Sequence, residues 1–427
     1  MTQTLDALRN GALAGARTLT LREDLTSFPR EIFGLADTLE VLDLSGNALA
    51  DLPDDIGRLK TLRALFCSDN RFERLPPGLG DCAALGQVGF RGCALTDIPA
   101  EALPPNLRWL TLTDNAIEVL PEALGQRPAL QKLMLAGNRL AALPDSLAGA
   151  DRLELLRLAA NRLEVLPPWL VDLPSLAWLA WSDNPLDKVA PAASINAVAW
   201  SALRPGDLLG EGASGQVRRA DWTDGAQVRA IALKLFKGAM TSDGLPEREM
   251  AACLAAGEHA NLTGALGEVA GHPDGTLGLL MPLLPDHWRV LAGPPSRATC
   301  SRDVYDPDLT LDLDVALQIA RDVGTGAAHL HARGLSHGDL YAHNTLWDGT
   351  TGQAVLSDFG AASFLPDGGD AGLERLEVLA WGRLLGELLD LCRDAAPARL
   401  RALQAQCTAP RPSARPRMGD AVEALGV

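Results

Sequence analysis

Positive charge is in short supply. Lys and Arg number 38 against 54 Asp and Glu, a formal net charge of −16 over 427 residues. Gripping a nucleic-acid backbone or an anionic bilayer takes a basic face, so the balance argues against both. Cysteine is sparse too. The seven (Cys67, Cys82, Cys93, Cys253, Cys300, Cys392 and Cys407) are odd in number, scattered and without a CxxC pair. That argues against a disulfide scaffold or a zinc ribbon and fits a reducing cytosol. No HExxH or Cys/His cluster suggests zinc. No apolar run approaches the roughly 18 residues of a membrane span. The opening stretch MTQTLDALRNGALAGA is interrupted by Asp6 and Arg9, so no secretion signal is expected and a cytoplasmic location is. Disorder is ruled out by ordinary globular usage, 47% hydrophobic and 22% charged.

What is present first is a repeat. Leu39, Leu62, Leu85, Leu107, Leu130, Leu153 and Leu176 follow one another at steps of 23, 23, 22, 23, 23 and 23 residues. Each unit reads LxxLxLxxN and then roughly xLxxLPxxL. LEVLDLSGN (Leu39–Asn47), LRWLTLTDN (Leu107–Asn115), LQKLMLAGN (Leu130–Asn138) and LELLRLAAN (Leu153–Asn161) are the clearest copies. The alternating LxL is a short strand, and one copy cannot bury its leucines alone, so copies must stack on a shared core. The Asn amide can donate to and accept from neighbouring backbone turns, forming a ladder. Cys93 takes the Asn place in one copy, where the weaker thiol predicts local loosening. Pro53, Pro76, Pro99, Pro121, Pro144 and Pro167 forbid a long helix on the return path.

Residues 17–190 resemble leucine-rich repeats of the LP type, about seven to eight of them. The outward strand positions carry Phe66, Arg91, Trp109, Lys132, Met134, Arg157 and Trp178. Aromatic, Met and Arg side chains on a concave face suit recruitment of a protein partner or substrate; the alternative is that they merely cover the sheet. Trp181 falls at an inward position and is expected in the core.

The second half changes character. LGEGASGQV contains Gly210, Glu211, Gly212, Gly215 and Val217 in the order GxGxxGxV, a weak sign on its own. Nineteen positions beyond Gly215 stands Lys234, emerging from the apolar run AIALKLF. A helical stretch comes next, with Glu249 placed to pair with Lys234, and Glu247 as the competitor. HGDLYAHNTL then supplies His337, Asp339 and Asn344, and SDFG supplies Asp358. Asp339 can accept a hydroxyl proton, and Asn344 and Asp358 offer oxygen to a metal. RPSARP lies near the end.

This ordered set resembles a eukaryotic-type protein kinase domain, closest to the tyrosine-kinase-like group. The resemblance implies ATP and Mg²⁺ between a β-rich small lobe and a helical large lobe. It assigns nucleotide contacts to Gly210, Glu211, Gly212, Gly215, Val217 and Lys234. It assigns the αC glutamate to Glu249, the catalytic base to Asp339, and the metal ligands to Asn344 and Asp358. The expected fold is therefore multidomain: a leucine-rich-repeat α/β solenoid over 1–190, a linker over 191–203, and a bilobal α+β kinase-like domain over 204–427. The expected activity is ATP-dependent phosphorylation of Ser or Thr in a protein.

Departures from the family pattern leave other readings open. Gly338 replaces the arginine of HRD, which gathers an activation-loop phosphate. Tyr341 stands where Ser/Thr kinases carry a lysine, and His343 where tyrosine kinases carry an arginine. Glu377 replaces the aspartate of the DxWxxG helix only 19 residues after Asp358, and no APE motif lies between. Arg415 would pair with the APE glutamate, for which Glu374 is the substitute considered. A pseudokinase scaffold and a small-molecule phosphotransferase thus remain alternatives. Loop phosphorylation is not expected to be the switch.

Overall fold

The computed structural model describes residues 3–187, 196–212, 214–238, 240–241, 243–366 and 370–426. The chain divides into two compact units, Met1–Leu173 and Pro174–Val427.

In the first unit a short helix α1 (Leu5–Arg9) precedes seven three-residue strands. These are β1 (Thr18–Thr20), β2 (Val41–Asp43), β3 (Ala64–Phe66), β4 (Gln87–Gly89), β5 (Trp109–Thr111), β6 (Lys132–Met134) and β7 (Leu155–Arg157). They pair in parallel, in sequence order. The middle residue of each strand (Leu19, Leu42, Leu65, Val88, Leu110, Leu133 and Leu156) is buried, as the period-2 pattern requires. The return path is made of short 3₁₀ turns, most of them entered from the proline of the LP motif, such as Pro53, Pro99 and Pro144.

The asparagine ladder forms. Asn70 Nδ2 donates to the carbonyls of Leu44 and Cys67, each at 2.9 Å, and its Oδ1 accepts from Leu49 N–H. Asn138 and Asn161 make the same set of bonds in their own copies. Cys93 keeps the ladder's donor position, its Sγ lying 3.2 Å from the Cys67 carbonyl. Burial pushes that thiol up to about 11, so it stays protonated and able to donate.

The outward residues do not all face solvent. Phe66, Arg91, Trp109 and Lys132 are half-buried, with the Lys132 ammonium 4.4 Å from the Trp109 ring centroid. Met134 is 8% exposed and receives the Thr111 hydroxyl at 3.7 Å, while Arg157 is 1% exposed. The expectation that Met134 and Arg157 form part of an open docking face is thereby corrected.

The second unit begins with the last repeat copy, whose strand is β8 (Trp178–Ala180). This copy falls within the second unit. The segment 188–195 lies outside the described residues. Within the expected linker, β9 (Ala197–Ala199) is a strand that pairs in parallel with β13 (Gly267–Ala270). The small-lobe sheet runs β10 (Leu203–Glu211), β11 (Gly215–Asp224), β12 (Gln227–Phe236), β14 (Gly278–Pro282), β13, β9. Helix α2 (Pro246–Ala256) comes after β12, with Pro at its first position, where no backbone donor is lost. The large lobe is built on α3 (Leu313–Ala332) and α4 (Ala371–Asp390), with α5 (Ala398–Cys407) and α6 (Met418–Glu423) packed against them. Trp381 in α4 is fully buried and donates to the Ala320 carbonyl of α3 at 2.8 Å. No helix among the described residues is long and apolar enough to cross a membrane.

Candidate active site

Antiparallel pairing of β11 and β12 sets Val217 opposite Lys234. The glycine-rich connection before β11 is closed by Gly212 N–H donating to the Gly215 carbonyl at 2.9 Å. Gly215 is required by packing: a Cβ there would sit 2.4 Å from the Leu235 carbonyl oxygen. Gly210 and Gly212 border open space, which leaves their backbone approachable. Lys237 Nζ ties the turn down, reaching the Gly212 carbonyl at 3.0 Å and the Glu211 carboxylate at 2.7 Å.

Lys234 is ion-paired with Glu249 of α2, and both side chains are buried. Glu247, the alternative partner, is exposed. Burial pulls the Lys234 ammonium down, but the charges of Glu249 and Asp358 outweigh it and hold the group above its ordinary range. The Ser214 side chain also hydrogen-bonds Glu249.

The loop that carries Asp339 starts from the short strand Leu335–Ser336. His337 is completely buried. Its Nδ1 accepts from Asp339 N–H at 3.3 Å and its Nε2 donates to the Ser357 carbonyl at 3.1 Å, the pattern of a neutral ring. Burial accordingly drives its pKa down. Asn344 Nδ2 donates to Asp339 twice, to Oδ2 at 2.7 Å and to the backbone carbonyl at 2.9 Å. The Asn344 carbonyl accepts from both the amide and the hydroxyl of Ser357, each at 2.8 Å, locking this loop to the residue before Asp358. Asp358 has φ +61°, and Phe359 beside it is buried against His337. A carboxylate and a side-chain amide in this setting are hard oxygen donors of the kind Mg²⁺ takes together with substrate phosphates. Among the described residues no cluster of three or more His, Cys, Asp or Glu forms a metal cage by itself.

Two further residues brace this loop, and the first carries no family motif and could not be found from sequence. Asp303, from the loop before α3, receives both the backbone N–H and Nδ1 of His343, at 3.0 and 2.7 Å. This turns His343 Nε2 toward Asp339, 3.9 Å from Oδ2. Burial pulls His343 down, but the bond to Asp303 and the Asp339 charge outweigh it and raise its pKa. The other is Glu377, buried in α4. It accepts the Gly338 N–H at 2.6 Å and the His331 ring N–H at 2.5 Å. The longer Glu therefore anchors the loop where the family uses Asp.

Arg415 does not pair with Glu374. Its guanidinium is buried and donates to the carbonyls of Ala409, Arg375 and Pro174 at 2.9, 3.2 and 2.7 Å, whereas Glu374 pairs with Arg417 at 3.4 Å. Burial lowers its pKa to about 10, so it remains charged.

Trp178 is not an open docking residue either. It is 2% exposed, stacks on Tyr341 at 4.1 Å between centroids, and donates Nε1–H to the Leu340 carbonyl at 2.9 Å. Arg302 and Arg383 flank the indole at 5.2 and 5.0 Å. Trp181 is buried as expected, but against the segment after Asp358. Its N–H donates to Ser363 Oγ at 2.9 Å and its Nε1–H to the Phe364 carbonyl at 3.3 Å.

Residues 203–371 match the family of protein tyrosine and serine/threonine kinases, and residues 38–59 and 128–186 match leucine-rich repeats. The human kinase suppressor of Ras 2 is 28% identical over 169 residues, 38% of this chain and 15% of that protein. A mouse dual-specificity testis-specific protein kinase 2 is 38% identical over 78 residues, 18% of this chain and 14% of that one. The human leucine-rich repeat-containing protein 58 is 33% identical over 116 residues, 24% of this chain and 31% of that protein. The chain thus spans less than a third of each of these relatives. One chain thus joins leucine-rich repeats to a segment, 203–371, that matches the protein tyrosine and serine/threonine kinase family.

Proposed function

We propose that the chain transfers the γ-phosphoryl group of ATP to a Ser or Thr hydroxyl of a protein. The observation that carries this reading is the buried Lys234–Glu249 pair in the field of Asp358, with Asp339 oriented by Asn344 in the same unit. In this reading Lys234 holds the α and β phosphates, and the backbone around Gly210, Glu211, Gly212, Gly215 and Val217 covers them. Asp339 orients the acceptor hydroxyl and takes its proton. Asn344 and Asp358 would hold Mg²⁺, which when bound neutralises charge on the β and γ phosphates. His343, fixed by Asp303 and with its pKa raised by that bond and the Asp339 charge, stands near Asp339 where the family's lysine or arginine is missing. The test is incubation of the purified chain with labelled Mg-ATP, alone and with a generic protein substrate. Label in protein supports the reading. Nucleotide binding without transfer would favour a pseudokinase scaffold, and label only in small acceptors a small-molecule phosphotransferase.

The repeats are proposed to recruit a protein partner through Phe66, Arg91, Trp109 and Lys132, in the cytoplasm. Trp109→Ala should weaken capture of the partner at least tenfold in pull-downs and leave basal transfer unchanged. Undiminished capture would reduce the face to structural cover.

Regulation by loop phosphorylation is not expected. Ser363 lies fully buried with its hydroxyl accepting from Trp181, and Gly338 has no side chain to receive a phosphate. Phosphatase treatment should leave the transfer rate within about twofold. A tenfold fall, about 1.4 kcal/mol of barrier, would make a phosphate the switch after all. Ser363→Ala is expected to lower stability by roughly 1–3 kcal/mol by orphaning a buried N–H.

A further inference from the structure

The last repeat copy touches three parts of the candidate site in its own unit. Trp178 holds the loop of Asp339 at Leu340 and Tyr341. Trp181 holds Ser363 and Phe364 of the segment after Asp358. Asp183 and Asp187 hold α2. Arg248, in its first turn, donates Nε–H and Nη2–H to Asp183 Oδ1 at 3.0 and 2.9 Å, and its Nη1 lies 3.6 Å from Asp187 Oδ2.

The two aspartates are themselves organised. Asp183 sits at φ +57° and donates its N–H to Asp187 Oδ2 at 2.8 Å. The other Asp187 oxygen accepts from Phe364 N–H at 3.2 Å, so one buried carboxylate joins the α2 anchor to the segment after Asp358.

Arg248 and Glu249 are consecutive on α2, about 100° apart around the helix axis. Fixing Arg248 on one side sets the rotation that turns Glu249 to Lys234 on another. A helix so held needs no loop phosphate to bring its glutamate in, and the position of this helix decides whether such a site is assembled. We propose that Trp178–Asp187 is a built-in positioning element for the phosphoryl-transfer site, with Asp183 and Asp187 keeping Glu249 on Lys234 through Arg248. The proposal rests on the kinase reading above for its effect on rate, but not for its effect on α2. Asp183, Asp187 and Arg248 are positioning residues, since none of them is placed against nucleotide or acceptor.

The experiment uses the full chain and two readouts, labelled phosphoryl transfer and amide hydrogen exchange across 249–256. Asp183→Ala and Arg248→Ala should each lower transfer about tenfold and speed exchange in α2. The double variant should be no worse than either single one, because both remove the same contact. Arg248→Lys, which keeps the charge, should recover most of the loss. Circular dichroism melting establishes that each variant is folded, and Asp183→Asn, which removes the charge that Arg248 meets at nearly unchanged size, carries the test if an alanine variant is not. Exchange in α2 unchanged in a folded Asp183→Ala, Asp183→Asn or Arg248→Ala variant, or transfer by it within twofold of wild type, would overturn the proposal. If wild type transfers no phosphate, the kinase reading falls while the exchange measurement still decides whether Asp183 holds α2.

Discussion

Lys234→Met is expected to abolish phosphoryl transfer, with a loss on the order of 10²–10³ or more, the scale for removing a preorganised charge from a reacting group. The lysine is the one cation in the described site bound to the α2 glutamate, and its ammonium stays charged because two carboxylates surround it. Methionine has the length but no charge. The same change strands Glu249, which is 3% exposed. Breaking a buried ion pair from one side costs about 3–5 kcal/mol, whereas replacing both partners with apolar side chains is often neutral. Stability and activity should therefore separate. Lys234→Met alone should melt lower and fail to transfer. Lys234→Met with Glu249→Met should regain most of the melting temperature and still fail. Thermal melts and a radiolabel assay on both variants check this, and normal turnover in the single variant would remove Lys234 from the mechanism.

Gly338→Arg, which writes the family's arginine back into the loop, should be severely destabilising. Gly338 sits at φ +74°, where a side chain costs about 1–2 kcal/mol. A Cβ there would lie 2.4 Å from the Ala361 carbonyl oxygen and 2.8 Å from that of Leu179. Backbone cannot yield as a flexible side chain can, and overpacking adds roughly 1–3 kcal/mol. The sum, about 2–5 kcal/mol, corresponds to a melting-temperature fall on the order of 10 °C in a unit of this size. Gly338→Ala should show most of the fall, since the first atom is what collides. A Gly338→Arg protein that melts with wild type would mean that the loop has room for the arginine.

The repeat was legible in the sequence because each copy states its pattern again, so the strands, the buried leucines and the asparagine ladder follow from a few residues and a period. The Lys234–Glu249 pair and the Asn344–Asp339 bonds were foreseeable because the proposed chemistry demands fixed residue types at loosely fixed spacing. Trp178 was misread for a physical reason. Its outward place in the LxL strand is genuine, but outward from one sheet is inward to another structure, and no local pattern reports what lies opposite. Asp303, Asp183 and Asp187 were invisible for the same cause, being common surface residue types whose importance arises from partners 40 to 177 positions away. The assumed pairing of Arg415 with Glu374 failed because backbone carbonyls, which every residue possesses, can satisfy a guanidinium as well as a carboxylate can.

The copy that begins at Leu176 is a repeat by its sequence and part of the second unit by its packing. Recombination between genes would feel that difference. An exchange of repeat arrays that crosses over at Leu173 and Pro174 carries Trp178, Trp181, Asp183 and Asp187 along with the lobes they touch. One that crosses over where the leucine pattern stops strips them away. The terminal copy is the point at which the repeat array of the gene becomes indivisible from the half that carries Lys234 and Asp339.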